Sequence, residues 1–142
     1  MKKFGLILGF MSVILLGIFI WSVLTTDQIL QQETRDSLSG QSSDQGEVVV
    51  EAEPLDLESG KQTKFKVTMD THSVELDYDL MKVSSLVNDQ GNTLKPLSWN
   101  GGSGGHHLKG ELTFPALEQK SKSVELLMAN ISGFDRRFKW NL

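Results

Sequence analysis

The sequence predicts an all-β protein: an immunoglobulin-like β-sandwich of about seven strands, preceded by an N-terminal transmembrane helix. Three observations carry this prediction. Between Glu47 and Leu142 apolar residues recur at a period of two, the spacing of strands with one buried face. Turn-forming residues separate these runs at fairly even intervals, as they do in sandwiches. Ahead of them, the stretch between Lys3 and Asp27 holds no charged residue.

The apolar run, Phe4 to Leu24, comes first. As a helix rising about 1.5 Å per residue, it spans roughly the 30 Å of a bilayer's hydrocarbon core. The apolar core of a cleaved signal peptide is shorter, about 7–15 residues, and leads to a small-x-small cleavage site. Here the run ends in Val23-Leu24-Thr25-Thr26 without one. Retention as an anchor is therefore expected, with secretion after cleavage as the alternative. Lys2 and Lys3 precede the helix and no cation follows it until Arg35, so the positive-inside rule keeps the N-terminus cytoplasmic and sends the C-terminal domain out. Trp21, near the outer end, suits the headgroup interface. Residues 1–26 read as the signal anchor, 27–46 as a polar linker and 47–142 as an extracytoplasmic β domain.

Charge narrows the partners. The chain carries 14 basic and 18 acidic residues; without Lys2 and Lys3 the exported part keeps 12 cations, a formal charge of about −6. Nucleic-acid affinity comes largely from cations neutralising phosphates, so DNA and RNA are excluded as partners. There is no cysteine, which rules out a lipid-modified N-terminal cysteine and leaves the exported fold to its core alone.

The linker ends in Ser39 to Gly46, small and polar, with no apolar periodicity. In the domain, Val48, Val50 and Ala52 alternate with polar neighbours until Pro54, which argues for an edge or a break. Phe65, Val67 and Met69 form a clear amphipathic strand. Val74, Leu76, Tyr78 and Leu80 read as the next strand, but on the opposite parity. A bulge, bend or turn must therefore lie within Thr71-His72-Ser73, because one added residue flips every side chain. Asn88 to Asn92 reads as a hairpin connection between VSSLV and TLKPLSW. After the glycine-rich Gly101 to Gly105, Leu108, Gly110, Leu112 and Phe114 form an inward set that Pro115 ends. Ser123 to Ile131 supplies another strand, and Phe134, Phe138, Trp140 and Leu142 mark the last. No helical pattern occurs inside the domain.

Three segments carry a resemblance: Asp70-Thr71-His72-Ser73-Val74-Glu75-Leu76-Asp77; Trp99-Asn100-Gly101 with Gly104-Gly105-His106-His107 and Gly110-Glu111-Leu112-Thr113-Phe114-Pro115; and Arg136 with Phe138 and Trp140. Over about Glu47 to Leu142 the chain resembles a group of exported prokaryotic proteins whose β domain carries such segments. The resemblance implies a secreted or surface β domain and brings no activity with it. The relatives resemble Glu-Arg followed by a small residue where this chain has Asp135-Arg136-Arg137, and Arg136 is the matching position.

All three histidines, His72, His106 and His107, fall in these segments. Imidazole suits zinc, copper or nickel, and Asp70, Glu75 or Asp77 could complete a shell. The structural alternative is that the rings bond loop carbonyls and amides that would otherwise be buried unpaired. Arg136 shares the parity of Phe134, Phe138 and Trp140, which puts a guanidinium on an apolar face. It needs a partner, with Asp77 or Asp79 the candidates for an ion pair, or else it clamps a ligand carboxylate. Gly101-x-Ser103-x-Gly105 matches the hydrolase nucleophile elbow formally, but that motif needs a helix after it and a strand pattern follows here. Asn130-Ile131-Ser132, a formal glycosylation sequon, lies within a strand pattern.

The function expected is thus a membrane-anchored extracytoplasmic binding or interaction module for an unknown protein or small ligand, held in the membrane by residues 4–24. The alternative is a zinc- or copper-binding domain using His72 with His106 or His107. A hydrolase is the least supported reading, since no catalytic set is assembled.

Overall fold

A computed structural model describes residues 38–118 and 120–142 of the chain. The predicted membrane span lies outside these residues, and no helix among the described ones is long and apolar enough to cross a membrane.

Two antiparallel sheets form the domain. In chain order the strands are β1 (Gln41–Gln45), β2 (Val48–Asp56), β3 (Gln62–Thr71), β4 (Ser84–Asn88), β5 (Thr93–Leu94), β6 (Ser98–Trp99), β7 (His107–Ala116), β8 (Ser123–Ile131) and β9 (Phe134–Asn141). One sheet runs β1-β2-β3-β7-β6 and the other β5-β4-β8-β9. The chain changes sheet after β3, β5 and β7, so the two layers are built together.

On β2, β3, β7 and β9 the inward residues include those the period of two marks. Val48, Val50 and Ala52 of β2, Phe65, Val67 and Met69 of β3, and Leu112 and Phe114 of β7 meet Leu86 of β4, Val124, Leu126 and Met128 of β8, and Phe138 and Trp140 of β9, all buried. Phe65 is central: its ring lies 5.0 Å from that of Trp140 and 6.0 Å, edge-on, from that of Phe114. The last strand is shorter inside than its pattern predicts, because Phe134 and Leu142 at its ends are exposed.

Pro54 and Pro115 sit where a missing N–H is harmless. β1 covers β2 only as far as Ala52, so β2 is an edge at Pro54, and the β2–β3 register shifts there. Pro115 lies at the β3–β7 register shift near Ala116. The Asn88–Asn92 connection does join an antiparallel pair, β4 and β5. The Asn88 side-chain oxygen accepts from the N–H groups of Gln90 (3.0 Å) and Asn92 (2.9 Å), which holds the turn.

Three expectations need correction. Gln41–Gln45, placed in the polar linker, is an edge strand paired with β2 from Gln41↔Ala52 to Gln45↔Val48. None of its side chains is fully buried, so it leaves no apolar alternation to read. The chain also closes here with its far end. The Gln41 amide donates to the Lys139 carbonyl (2.6 Å) and accepts from the Lys139 N–H (3.2 Å), and the Trp140 indole N–H donates to the Ser39 carbonyl (2.8 Å). Second, residues 72–79 are not a strand but an irregular crossover between the sheets. Its alternation reports one-sided burial of an extended chain, with Leu76 and Leu80 inward, and not membership of a ladder. Third, the domain does contain a helix, α1 (Leu80–Val83), which is too short to show a 3.6-residue period. Asp79 caps it, accepting from the Met81 N–H at 3.1 Å. The Lys82 ammonium, 2.8 Å from Asp79, is the main cause of a carboxyl pKa held below its ordinary value.

Candidate functional site

The crossover 72–79 and the loop from Trp99 to His107 meet, and each holds the other in place. Leu76 donates its N–H to the Gly105 carbonyl (2.9 Å) and accepts from the Gly104 N–H (2.7 Å). The Glu75 carboxylate accepts from the Gly105 N–H, and the Thr71 N–H donates to the His106 carbonyl (3.0 Å).

The glycine-rich motif is explained by how closely this loop folds on itself. The indole N–H of Trp99 donates to the Gly102 carbonyl at 2.6 Å, which curls the loop over its own tryptophan. A Cβ on Gly101 would fall inside the Trp99 ring, and one on Gly110 would strike the Gly101 backbone and come within 2.8 Å of Asn100 Oδ1. That oxygen is already committed, accepting from the Glu111 N–H at 2.6 Å. Ser103 lies in this loop, and the element that follows is strand β7 rather than a helix, so the nucleophile-elbow context is missing.

Of the three histidines, His72 and His107 come together. Asp70 and His107 are a cross-strand pair on the outer face of β3 and β7, with Nδ1 of His107 2.6 Å from a carboxylate oxygen. The His72 ring stands edge-on to that of His107, centroid to centroid 6.4 Å. If Nδ1 carries the proton toward Asp70, Nε2 is left with its lone pair, the arrangement in which a carboxylate orients a metal-binding imidazole. Two imidazoles and one carboxylate are thus the available donors. No group of three or more His, Cys, Asp or Glu is arranged to hold an ion among the described residues. His106 contributes its backbone carbonyl to the end of β3, accepting from the Thr71 N–H, and keeps an exposed side chain.

Arg136 is wholly buried. Its hydrogen bonds run to the carbonyls of Gln45, Val48 (3.1 Å) and Ile131 (3.3 Å) and to the Ser43 hydroxyl (3.3 Å). The expected pair with Asp77 or Asp79 is not formed, because Asp79 is engaged by Lys82 and α1, and Asp77 is exposed. Burial pulls the guanidinium below its ordinary pKa, and Asp44 and Tyr78 act the other way. Arg136 therefore fastens the β1–β2 turn to the end of β8, and no ligand can reach it without opening that turn.

Asp77 instead lines a groove of about 370 Å³ between the crossover and the loop. Its other walls include Tyr78, Asp79, Leu80, Trp99 and Ser103. A second hollow of about 240 Å³ lies on the β1–β3 face, lined by Gln41, Glu51, Glu53, Lys66 and Thr68. Trp99 as a groove wall is not readable from the sequence, where it stands out only as part of a motif. The cue that exists is its neighbourhood: an aromatic next to glycines is an aromatic with close backbone contacts on one side.

No protein-family model and no curated protein matches the chain. Among solved structures it is similar to a secreted protein from Mycobacterium tuberculosis, MPT63, at 16% identity over 73% of this chain and 92% of that one, with a TM-score of 0.45. A likeness of that order bears on neither site nor activity.

Proposed function

We propose that the protein is a membrane-anchored, extracytoplasmic binding module, immunoglobulin-like in architecture, whose ligand is met by the groove between the 72–79 crossover and the Trp99–His107 loop. The observation that carries the reading is that groove: a concave surface with aromatic, acidic and hydroxyl groups, built on loops that a two-sheet scaffold braces. Binding residues are found disproportionately on loops positioned in this way. The uncharged run at Phe4 to Leu24 and the cations before it support the anchor and the orientation.

The absence of cysteine makes the test simple. In a Ser103→Cys variant of the full chain, a membrane-impermeant maleimide added to intact cells is expected to label the new thiol, whereas Lys3→Cys stays unlabelled until the cells are broken. Labelling only after lysis at both positions overturns the exported reading. A photo-crosslinker on the same Ser103→Cys thiol is expected to be blocked by whatever fills the groove, and one placed at Glu51→Cys is not.

The pairing of His107 with Asp70, 6.4 Å from the His72 ring, favours one second reading: an open two-imidazole site for zinc or copper. Titration of the full chain with either ion is expected to show binding that His72→Ala and His107→Ala each abolish and His106→Ala leaves intact. Binding that survives both of the first two variants removes this reading.

A further inference from the structure

Resting on the groove reading above, we infer that the groove receives the alkylammonium group of a small organic cation, seated against Trp99 with Asp77 as its counter-ion. The indole N–H of Trp99 is already given to the Gly102 carbonyl, so the tryptophan presents a ring to the groove and no donor. On one side the indole lies so close to Gly101 that a Cβ there would overlap Cζ2, Cη2 and Cε2. Tyr78 is likewise committed, its hydroxyl oxygen accepting from the Ser132 N–H at 3.0 Å.

The charged groups are all of one sign. No Lys, Arg or His lines the groove, so an anion would meet its carboxylates with no cation in the lining to offset them. Asp79 is spent on Lys82 and on the cap of α1. Asp77 enters no ion pair among the described residues and stands exposed at the wall. A tryptophan ring and a carboxylate with no ion pair among the described residues, lining one groove, suit an ammonium group, which the ring's quadrupole attracts and which needs no hydrogen-bond acceptor when fully alkylated. At about 370 Å³ the groove sits at the small end of small-molecule sites, and the chain's net charge of −4 favours the approach of cations.

The same chemistry has two sources, a dissolved amine or a lipid headgroup close to the anchor, and the experiment separates them. The Trp99 indole N–H resonance of the full chain, identified with Trp99→Phe, is followed in phosphatidylglycerol nanodiscs. The titrants are choline, its uncharged isostere 3,3-dimethylbutan-1-ol, and acetate. Choline is expected to shift the resonance saturably, the isostere to bind about tenfold more weakly, and acetate to have no effect. Asp77→Asn, at an exposed position that leaves the fold intact, weakens choline about tenfold, and Glu51→Gln changes nothing. A shift already present in phosphatidylcholine nanodiscs assigns the headgroup as the source; a shift only with dissolved choline assigns the free cation. Equal binding of choline and its isostere, binding indifferent to Asp77→Asn, or no choline response overturns the inference. Protection of the Ser103→Cys crosslinker in cells, surviving such a failure, would show that the groove is used and that only the ligand class is wrong.

Discussion

Arg136 shows how much one residue can decide. A guanidinium with no exposed surface and no carboxylate partner is costly to bury, and Nε has no hydrogen-bond partner among the described residues. What compensates is three backbone carbonyls and a hydroxyl, which would themselves be left poorly satisfied without it. Phe134 adds its ring, 5.9 Å from the guanidinium carbon. Arg136→Ala is therefore expected to destabilise the domain by about 3–5 kcal/mol, read from the midpoint of urea unfolding. Arg136→Met, which keeps volume and drops the charge, should lose less. A loss within about 0.5 kcal/mol for the alanine variant would mean that the carbonyls find other donors and that the arginine is not the fastening. Parity put this arginine on the inward face. Its partners were not legible, because they are main-chain oxygens of β1–β2 and β8, far apart in sequence and without any residue type to betray them.

At the scale of elements the lesson lies in β1 and in the crossover. β1 is polar throughout, and a strand whose side chains face solvent or the rim carries no period-two apolar signal. Only the unsatisfied edge of β2 calls for it. Removing β1 with the residues before it exposes that edge, deprives Arg136 of Ser43 and the Gln45 carbonyl, and frees the Lys139 main chain and the Trp140 indole N–H. A chain covering residues 47–142 is thus expected to be less stable than one covering 37–142 by roughly 3 kcal/mol or more, and more prone to associate, as urea unfolding and gel filtration would report. Equal midpoints would show that β1 is an ornament. The crossover teaches the converse. Its alternation of Leu76, Tyr78 and Leu80 with Asp77 and Asp79 is strand-like, yet Leu76 pairs with two glycines of a loop and the rest caps a one-turn helix. Hydrophobic period measures which side is covered, and a loop can cover a side as well as a strand can.

For the whole molecule, the amino-acid sequence by itself determined that the domain is all-β, which faces of β2, β3 and β7 point inward, that the chain turns at Asn88–Asn92, and that its parity breaks near His72. These are properties of near neighbours along the chain: side-chain alternation, turn chemistry and the position of proline. The tertiary structure alone decided that the first strand clasps the last, with Gln41 on Lys139 across 98 residues, that Arg136 is satisfied by carbonyls and not by Asp77, and that His107 stands with Asp70 and His72 while His106 does not. It alone brought Asp77 and Trp99 to one groove. Each of these depends on which distant segments become neighbours in space. Local periodicity cannot carry that information, since an outward-facing residue obeys the same alternation whatever it meets.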